Sequence, residues 1–147
     1  MSTMLAVDDE PDILQALAAY LEATVPGLRV ITAPSGQAGL EELAKHVPDI
    51  VLSDYKMPGM TGLDFLARVA KAHPGIPCLM MTAYADSDLA MRAVHEAHVK
   101  QFLTKPVEPA RLAAAVKELL GQTGKAPPLG SPPPGKAGPS PSAAPPP

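Results

Sequence analysis

Short apolar runs punctuate this chain at regular intervals: Met4-Leu5-Ala6-Val7, Ile50-Val51-Leu52-Ser53 and Cys78-Leu79-Met80-Met81. None of them alternates apolar with polar positions, as a strand with one wet face would. Each predicts a strand covered on both faces. Arg29 to Thr32 and Lys100 to Leu103 predict two further strands of more mixed character. Between the runs the apolar spacing changes to that of a helix. Ile13, Leu14, Leu17, Ala18 and Leu21 predict one apolar stripe, Ala38, Leu40 and Leu43 a second, and Phe65, Leu66 and Val69 a third. A fourth helix is expected from about Asp86 to His95. A fifth starts near Glu108-Pro109 and carries Leu112, Val116, Leu119 and Leu120.

Boundary residues agree with this division. Pro11 falls near the first position of the first helix, where a missing N–H costs nothing. Ser35 is placed to cap the second helix, and Thr61-Gly62-Leu63-Asp64 reads as a variant capping box for the third. Pro26-Gly27, Pro48 and Pro74-Gly75 close the helices that precede them. Five strand–helix units in strict alternation predict an α/β fold with a parallel sheet and right-handed crossovers. Such sheets bind ligands beyond the carboxyl ends of their strands.

The residues at those ends carry the chemistry. Asp8-Asp9 follows the first strand, Asp54 the third, Thr82 the fourth and Lys105 the fifth. Alone, Asp54 reads as a turn-forming residue after a strand. Asp9 reads as a charge favouring a helix N-terminus, Thr82 as a strand-ending hydroxyl, and Lys105 as a surface lysine. Brought together by a parallel sheet, they form a carboxylate pocket with a hydroxyl and an amine. Adjacent carboxylates repel without a counter-charge, and a hard divalent cation held by a few carboxylates supplies one. Such a pocket also makes Asp54 a nucleophile toward phosphorus.

The segments Val7-Asp8-Asp9-Glu10, Ser53 to Gly62, Met81-Thr82-Ala83 and Phe102-Leu103-Thr104-Lys105-Pro106 together resemble the receiver domain of two-component response regulators, over roughly Met4 to Leu120. The resemblance implies a doubly wound, flavodoxin-like (βα)5 three-layer sandwich with strand order 2-1-3-4-5. It implies Mg²⁺- or Mn²⁺-dependent transfer of a phosphoryl group to Asp54 from a histidine kinase or histidine phosphotransfer protein. In that frame Asp9 ligates the cation directly and Asp8 through water, with Asp54 and the backbone carbonyl of Lys56 completing the protein ligands. Thr82 and Lys105 contact the phosphoryl group. Thr82 and Phe102 form the switch, and the face of the fourth helix, fifth strand and fifth helix signals to a protein target. The Lys105–Pro106 peptide bond is expected to be cis. Lys56 and Tyr84, each two residues beyond a pocket residue, flank the path of a hydrolytic water and predict a long-lived phosphoryl group. One departure stands out: His98 occupies a corner where many relatives carry a flexible residue.

Other classes fit less well. An Asp-dependent Mg²⁺ phosphatase places its nucleophile after the first strand in an Asp-x-Asp pattern beneath a cap domain. Here the carboxylates are adjacent, and no Asp lies two residues after Asp54. A flavin module needs a Ser/Thr/Gly-rich phosphate loop, which Asp8-Asp9-Glu10 would repel. A receiver kept only as an interaction domain need not retain all five pocket groups. The expected protein is therefore a phosphorylation-dependent switch rather than a metabolic enzyme, acting as a stand-alone regulator or a relay intermediate.

Composition narrows the partners. The chain has 147 residues, 46% of them hydrophobic, with a net charge of −3. No basic field for direct nucleic-acid binding is present. No apolar run approaches the ~20 residues of a membrane span, and the N-terminus lacks the pattern of a signal peptide. A cytoplasmic protein, monomeric or dimerising on phosphorylation, is expected. Cys78, the only cysteine, reads as a core thiol. His46, His73, His95 and His98 read as solvated. Beyond Ala126 lie ten of the nineteen prolines. A receiver domain over residues 1–121 and a disordered Pro/Gly/Ser/Ala-rich tail over 122–147 are predicted, because such a tail buries too little to offset its ordering entropy.

Overall fold

The computed structural model describes residues 2–83 and 87–122. The predicted tail, from residue 123 on, lies outside the described residues, as do Tyr84 and Asp86. The elements are β1 (Ser2–Val7), α1 (Pro11–Thr24), β2 (Leu28–Ala33), α2 (Gly36–Lys45), β3 (Ile50–Asp54), α3 (Gly62–Ala72), β4 (Cys78–Thr82), α4 (Ser87–Ala97), β5 (Val99–Thr104) and α5 (Pro109–Gln122). All strand pairs are parallel, and the sheet order is β2-β1-β3-β4-β5. The expected doubly wound fold is the one found. Each strand is one to two residues longer than its apolar run, because main-chain pairing continues after the hydrophobic signal stops.

Pleating explains the unbroken apolar strands. Successive side chains point to opposite faces of a strand. In β1, Met4 and Ala6 enter a core shared with Leu14, Leu17 and Leu21 of α1 and Leu112, Val116 and Leu119 of α5. Leu5 and Val7 enter the other core, with Leu43 of α2, Phe65, Leu66 and Val69 of α3, and Leu89 and Ala93 of α4. Every residue of β3 and β4 is buried. The edge strands β2 and β5 are only partly covered, which accounts for their mixed composition.

The predicted caps are present. The Ser35 side chain accepts from Ala38 N at 3.1 Å and Thr61 from Asp64 N at 3.1 Å, and Pro11 opens α1. Ile13 departs from its assignment. It is 44% exposed, because the stripe centres on Leu14, Leu17 and Leu21 and places Ile13 at its flank. On α2 the inner face is made as much by absence as by side chains. A Cβ on Gly39 would stand 2.9 Å from the Phe65 ring and from Val7 Cγ2, so this glycine lets the helix lie close to the sheet. Among the described residues no helix is long and apolar enough to cross a membrane.

His98 links α4 to β5 with φ 53, the described non-glycine residue in the left-handed region. That conformation costs an ordinary L-residue roughly 1–2 kcal/mol, and glycine adopts it freely. The side chain is exposed. His98→Gly is expected to stabilise the protein by about 0.5–1 kcal/mol, read as a higher urea midpoint with an unchanged slope. An unchanged or lower midpoint would show that the corner is not strained.

Candidate functional site

The carboxyl ends of β1, β3, β4 and β5 converge on one cavity of about 500 Å³, lined by Asp9, Glu10, Asp54, Lys56, Met57, Pro58, Thr82, Ala83 and Lys105. The backbone sets this convergence. Asp8 N donates to Ala33 O, which holds the end of β1 against β2. Tyr55 N donates to Met81 O and extends the β3–β4 pairing by one residue. Lys105 N donates to Thr82 O, which sets the lysine beside the threonine. The Lys105–Pro106 bond is cis.

Asp54 ends β3 with its side chain 5% exposed. Its carbonyl accepts from the Ser53 hydroxyl at 2.9 Å. Gly62, the first residue of α3, lies directly against that carbonyl. Any Cβ there would collide with Asp54 O and crowd Tyr55, and Gly62 N donates to Tyr55 O at 2.7 Å. The glycine thus lets the β3–α3 loop fold back over the residue that bears the carboxylate.

Asp8, Asp9 and Asp54 present carboxylate oxygens that all lie within 4.8 Å of one another. Lys105 Nζ stands 2.9 Å from Asp54 Oδ1, 3.9 Å from Asp8 Oδ2 and 4.0 Å from Glu10 Oε1. Partial burial pulls the lysine's pKa down. The Asp54 hydrogen bond and charge, with Asp8 and Glu10 behind them, outweigh it, so the net direction is up. Asp8 is fully buried. Its Oδ1 accepts from Glu10 N at 3.0 Å, while its Oδ2 accepts no hydrogen bond. Burial first, with the Asp54 charge adding to it, pushes the Asp8 carboxyl up to about 6, against the opposing effects of Glu10 N–H and Lys105. A buried carboxylate oxygen without a donor, among crowded carboxylates, fits an oxygen-seeking divalent cation.

The predicted pocket residues are therefore brought together. Asp8, Asp9, Asp54, Thr82 and Lys105 share the site, and Lys56 lines it. Phe102 is partly buried on β5, packed against the core under α2, α3 and α4 and paired with Met80 of β4. Tyr84 lies outside the described residues. Sequence reasoning named Glu10 only within an acidic run and Gly62 only within a capping box, and gave neither a role in the pocket. Glu10 carried a signal, being a third acidic residue directly after Asp8-Asp9. For Gly62 the sequence shows a glycine but not what it must avoid.

Comparison with known proteins decides the family. The model of the response regulator receiver domain matches residues 4–117. This chain belongs to the response regulator receiver family. The receiver is 37% identical over 123 residues to the transcriptional regulatory protein GlrR of Escherichia coli K12. That match covers 84% of this chain and 27% of that protein. It is 38% identical over 121 residues to the transcriptional regulatory protein KdpE of Mycobacterium tuberculosis, covering 80% of this chain and 52% of that protein. The receiver thus spans about a quarter to a half of the length of these curated relatives. Among solved structures it is similar to a response regulator receiver domain protein from Clostridium thermocellum, with 31% identity and a TM-score of 0.76, covering 85% of this chain and 98% of that one. A CheY-like receiver domain protein from Methanospirillum hungatei superposes with a TM-score of 0.79 at 29% identity, covering 85% of this chain and 98% of that one.

The crowded site has a consequence for the stability of the metal-free receiver. The folded chain holds the Asp8 proton more tightly than the unfolded chain does, about 6 against 3.8. The resulting stabilisation is complete below about pH 4 and is lost as pH rises through about 6. Asp8→Asn removes that loss. It is expected to stabilise the metal-free protein by about 1–2 kcal/mol at pH 7.5, allowing for screening by Lys105. Urea denaturation at a series of pH values should show the gap closing toward pH 4. A gap that stayed constant with pH would remove Asp8 as its cause.

Proposed function

We propose that this receiver accepts a phosphoryl group on Asp54 from the phosphohistidine of a histidine kinase or phosphotransfer protein, with Mg²⁺ or Mn²⁺ bound at Asp8, Asp9, Asp54 and the Lys56 carbonyl. The observation that carries the reading is the Asp54 carboxylate, sequestered at the base of an open cavity, with Lys105 Nζ at 2.9 Å and two further carboxylates beside it. An Asp54 oxygen forms a bond to phosphorus as the phosphorus–nitrogen bond of the donor breaks. The electron pair stays on the imidazole nitrogen, which takes a proton. Lys105 meets the phosphoryl oxygens as a point charge and Thr82 as a hydroxyl donor. The bound cation supplies the positive charge that lets an anionic nucleophile approach an anionic phosphoryl group.

Movement of Thr82 toward the phosphoryl group vacates space beside Phe102. Phe102 has no hydroxyl, so packing alone selects its position. The face of α4, β5 and α5 then reports the charge state of Asp54 to a protein target in the cytoplasm. Direct nucleic-acid contact, membrane insertion and classical enzymatic turnover are not part of this reading. The receiver works as a monomer or as a phosphorylation-dependent dimer.

Incubation with a small phosphoramidate donor and Mg²⁺ should add one phosphoryl group by mass, and chelation should prevent it. Asp54→Asn should abolish labelling. Equal labelling of that variant would place the acceptor elsewhere. Lys56 and Tyr84 are proposed to obstruct the hydrolytic water, so Lys56→Ala with Tyr84→Ala should shorten the lifetime of phosphorylated Asp54 several-fold. An unchanged decay rate would remove both residues from that role.

A further inference from the structure

Glu10 sits at the N-cap of α1, yet its side chain makes no capping hydrogen bond. The usual use of that position is to satisfy a free N–H of the first turn. Here the backbone and the carboxylate serve the pocket instead. Glu10 N holds Asp8 Oδ1 at 3.0 Å, and Glu10 Oε1 lies 4.0 Å from Lys105 Nζ at the cavity rim. Its side chain is 57% exposed, whereas those of Asp8 and Asp54 are 0% and 5% exposed. Lys105 therefore has three carboxylates around it: two deep ones needed by the cation and one at the mouth with no duty in the reaction.

The deep contact presents a conflict. For Asp54 to accept a cation and then phosphorus, Lys105 has to leave its 2.9 Å contact with Asp54 Oδ1. An ammonium released without a partner would keep returning to that carboxylate and compete with the cation. We propose that Glu10 is a positioning residue, the rim anchor that takes the Lys105 ammonium when the cation engages Asp54, before any phosphoryl group arrives, and so strengthens divalent-cation binding. This inference rests on the metal reading proposed above. Glu10 acts through Lys105, not as a ligand.

Titration of the full chain with Mg²⁺ alone, followed by calorimetry and by amide shifts of the pocket residues, tests it in five proteins. An exposed ion pair contributes about 0.2–1 kcal/mol, so Glu10→Gln is expected to weaken Mg²⁺ binding about threefold. In a Lys105→Met background the same change should have almost no effect, as a double-mutant cycle requires of two residues that act together. Asp12→Asn removes the same charge from the first turn of α1, where no ion pair is formed among the described residues, and should leave the affinity within about 1.5-fold. Thermal melts without metal check that each variant is folded. Equal affinities for wild type and Glu10→Gln would overturn the inference while leaving the metal reading intact. So would a Glu10→Gln effect that persists undiminished without Lys105, or one matched by Asp12→Asn. Wild type that takes up no Mg²⁺ would overturn the metal reading itself, and this inference with it.

Discussion

Three carboxylates within 4.8 Å of one another, countered by the Lys105 ammonium, are the interaction on which the rest of this receiver depends. At an effective dielectric of about 20, each such pair repels by on the order of 3 kcal/mol. A chain of marginal stability does not keep that arrangement unless the surrounding fold holds it in place. The repulsion makes the site responsive. Any species that brings positive charge to it, or spreads the negative charge away from it, changes the energy of the whole β-strand edge.

The holding is done by the sheet. Central strands buried on both faces cannot shift without exposing two cores at once, so the ends of β1, β3 and β4 keep their relative positions. The close approaches are made by residues that lack a side chain rather than by those that have one. Gly39 lets α2 seat against Phe65 and Val7, and Gly62 lets the β3–α3 loop close over the Asp54 carbonyl. The segments at the mouth have no such double covering. Glu10 and Lys56 are exposed, and they line the open cavity at that edge.

This division also explains what the sequence reveals. The elements, the caps at Ser35 and Thr61 and the polar groups at the strand ends follow from periodicities and pairings a few residues long. The fold and the five pocket residues were therefore visible as a pattern. Ile13 was misplaced because an apolar residue at the flank of a stripe looks like one inside it until the opposing helix is known. Gly62 and Glu10 were passed over because their roles are distances to residues 8 and 95 positions away, Asp54 and Lys105. His98 could be noted as unusual, but only the backbone shows that it takes the left-handed conformation itself.

The lysine that relieves the crowding also covers one of the crowded carboxylates. Lys105 lowers the energy of the site by pairing with Asp54, and the same contact occupies Oδ1 of that side chain. A site with no lysine would repel itself, and one with a lysine fixed on Asp54 would keep that oxygen covered. The structure resolves this by giving the ammonium several partners at graded depth: Asp54 at 2.9 Å, Asp8 at 3.9 Å and Glu10 at 4.0 Å toward solvent. Positive charge arriving at Asp54 would weaken the hold of that carboxylate on Lys105 relative to the other two. The lysine's backbone is tied to Thr82 through a 3.0 Å hydrogen bond, so a change at the carboxylate reaches β4 and β5 through a connection already made.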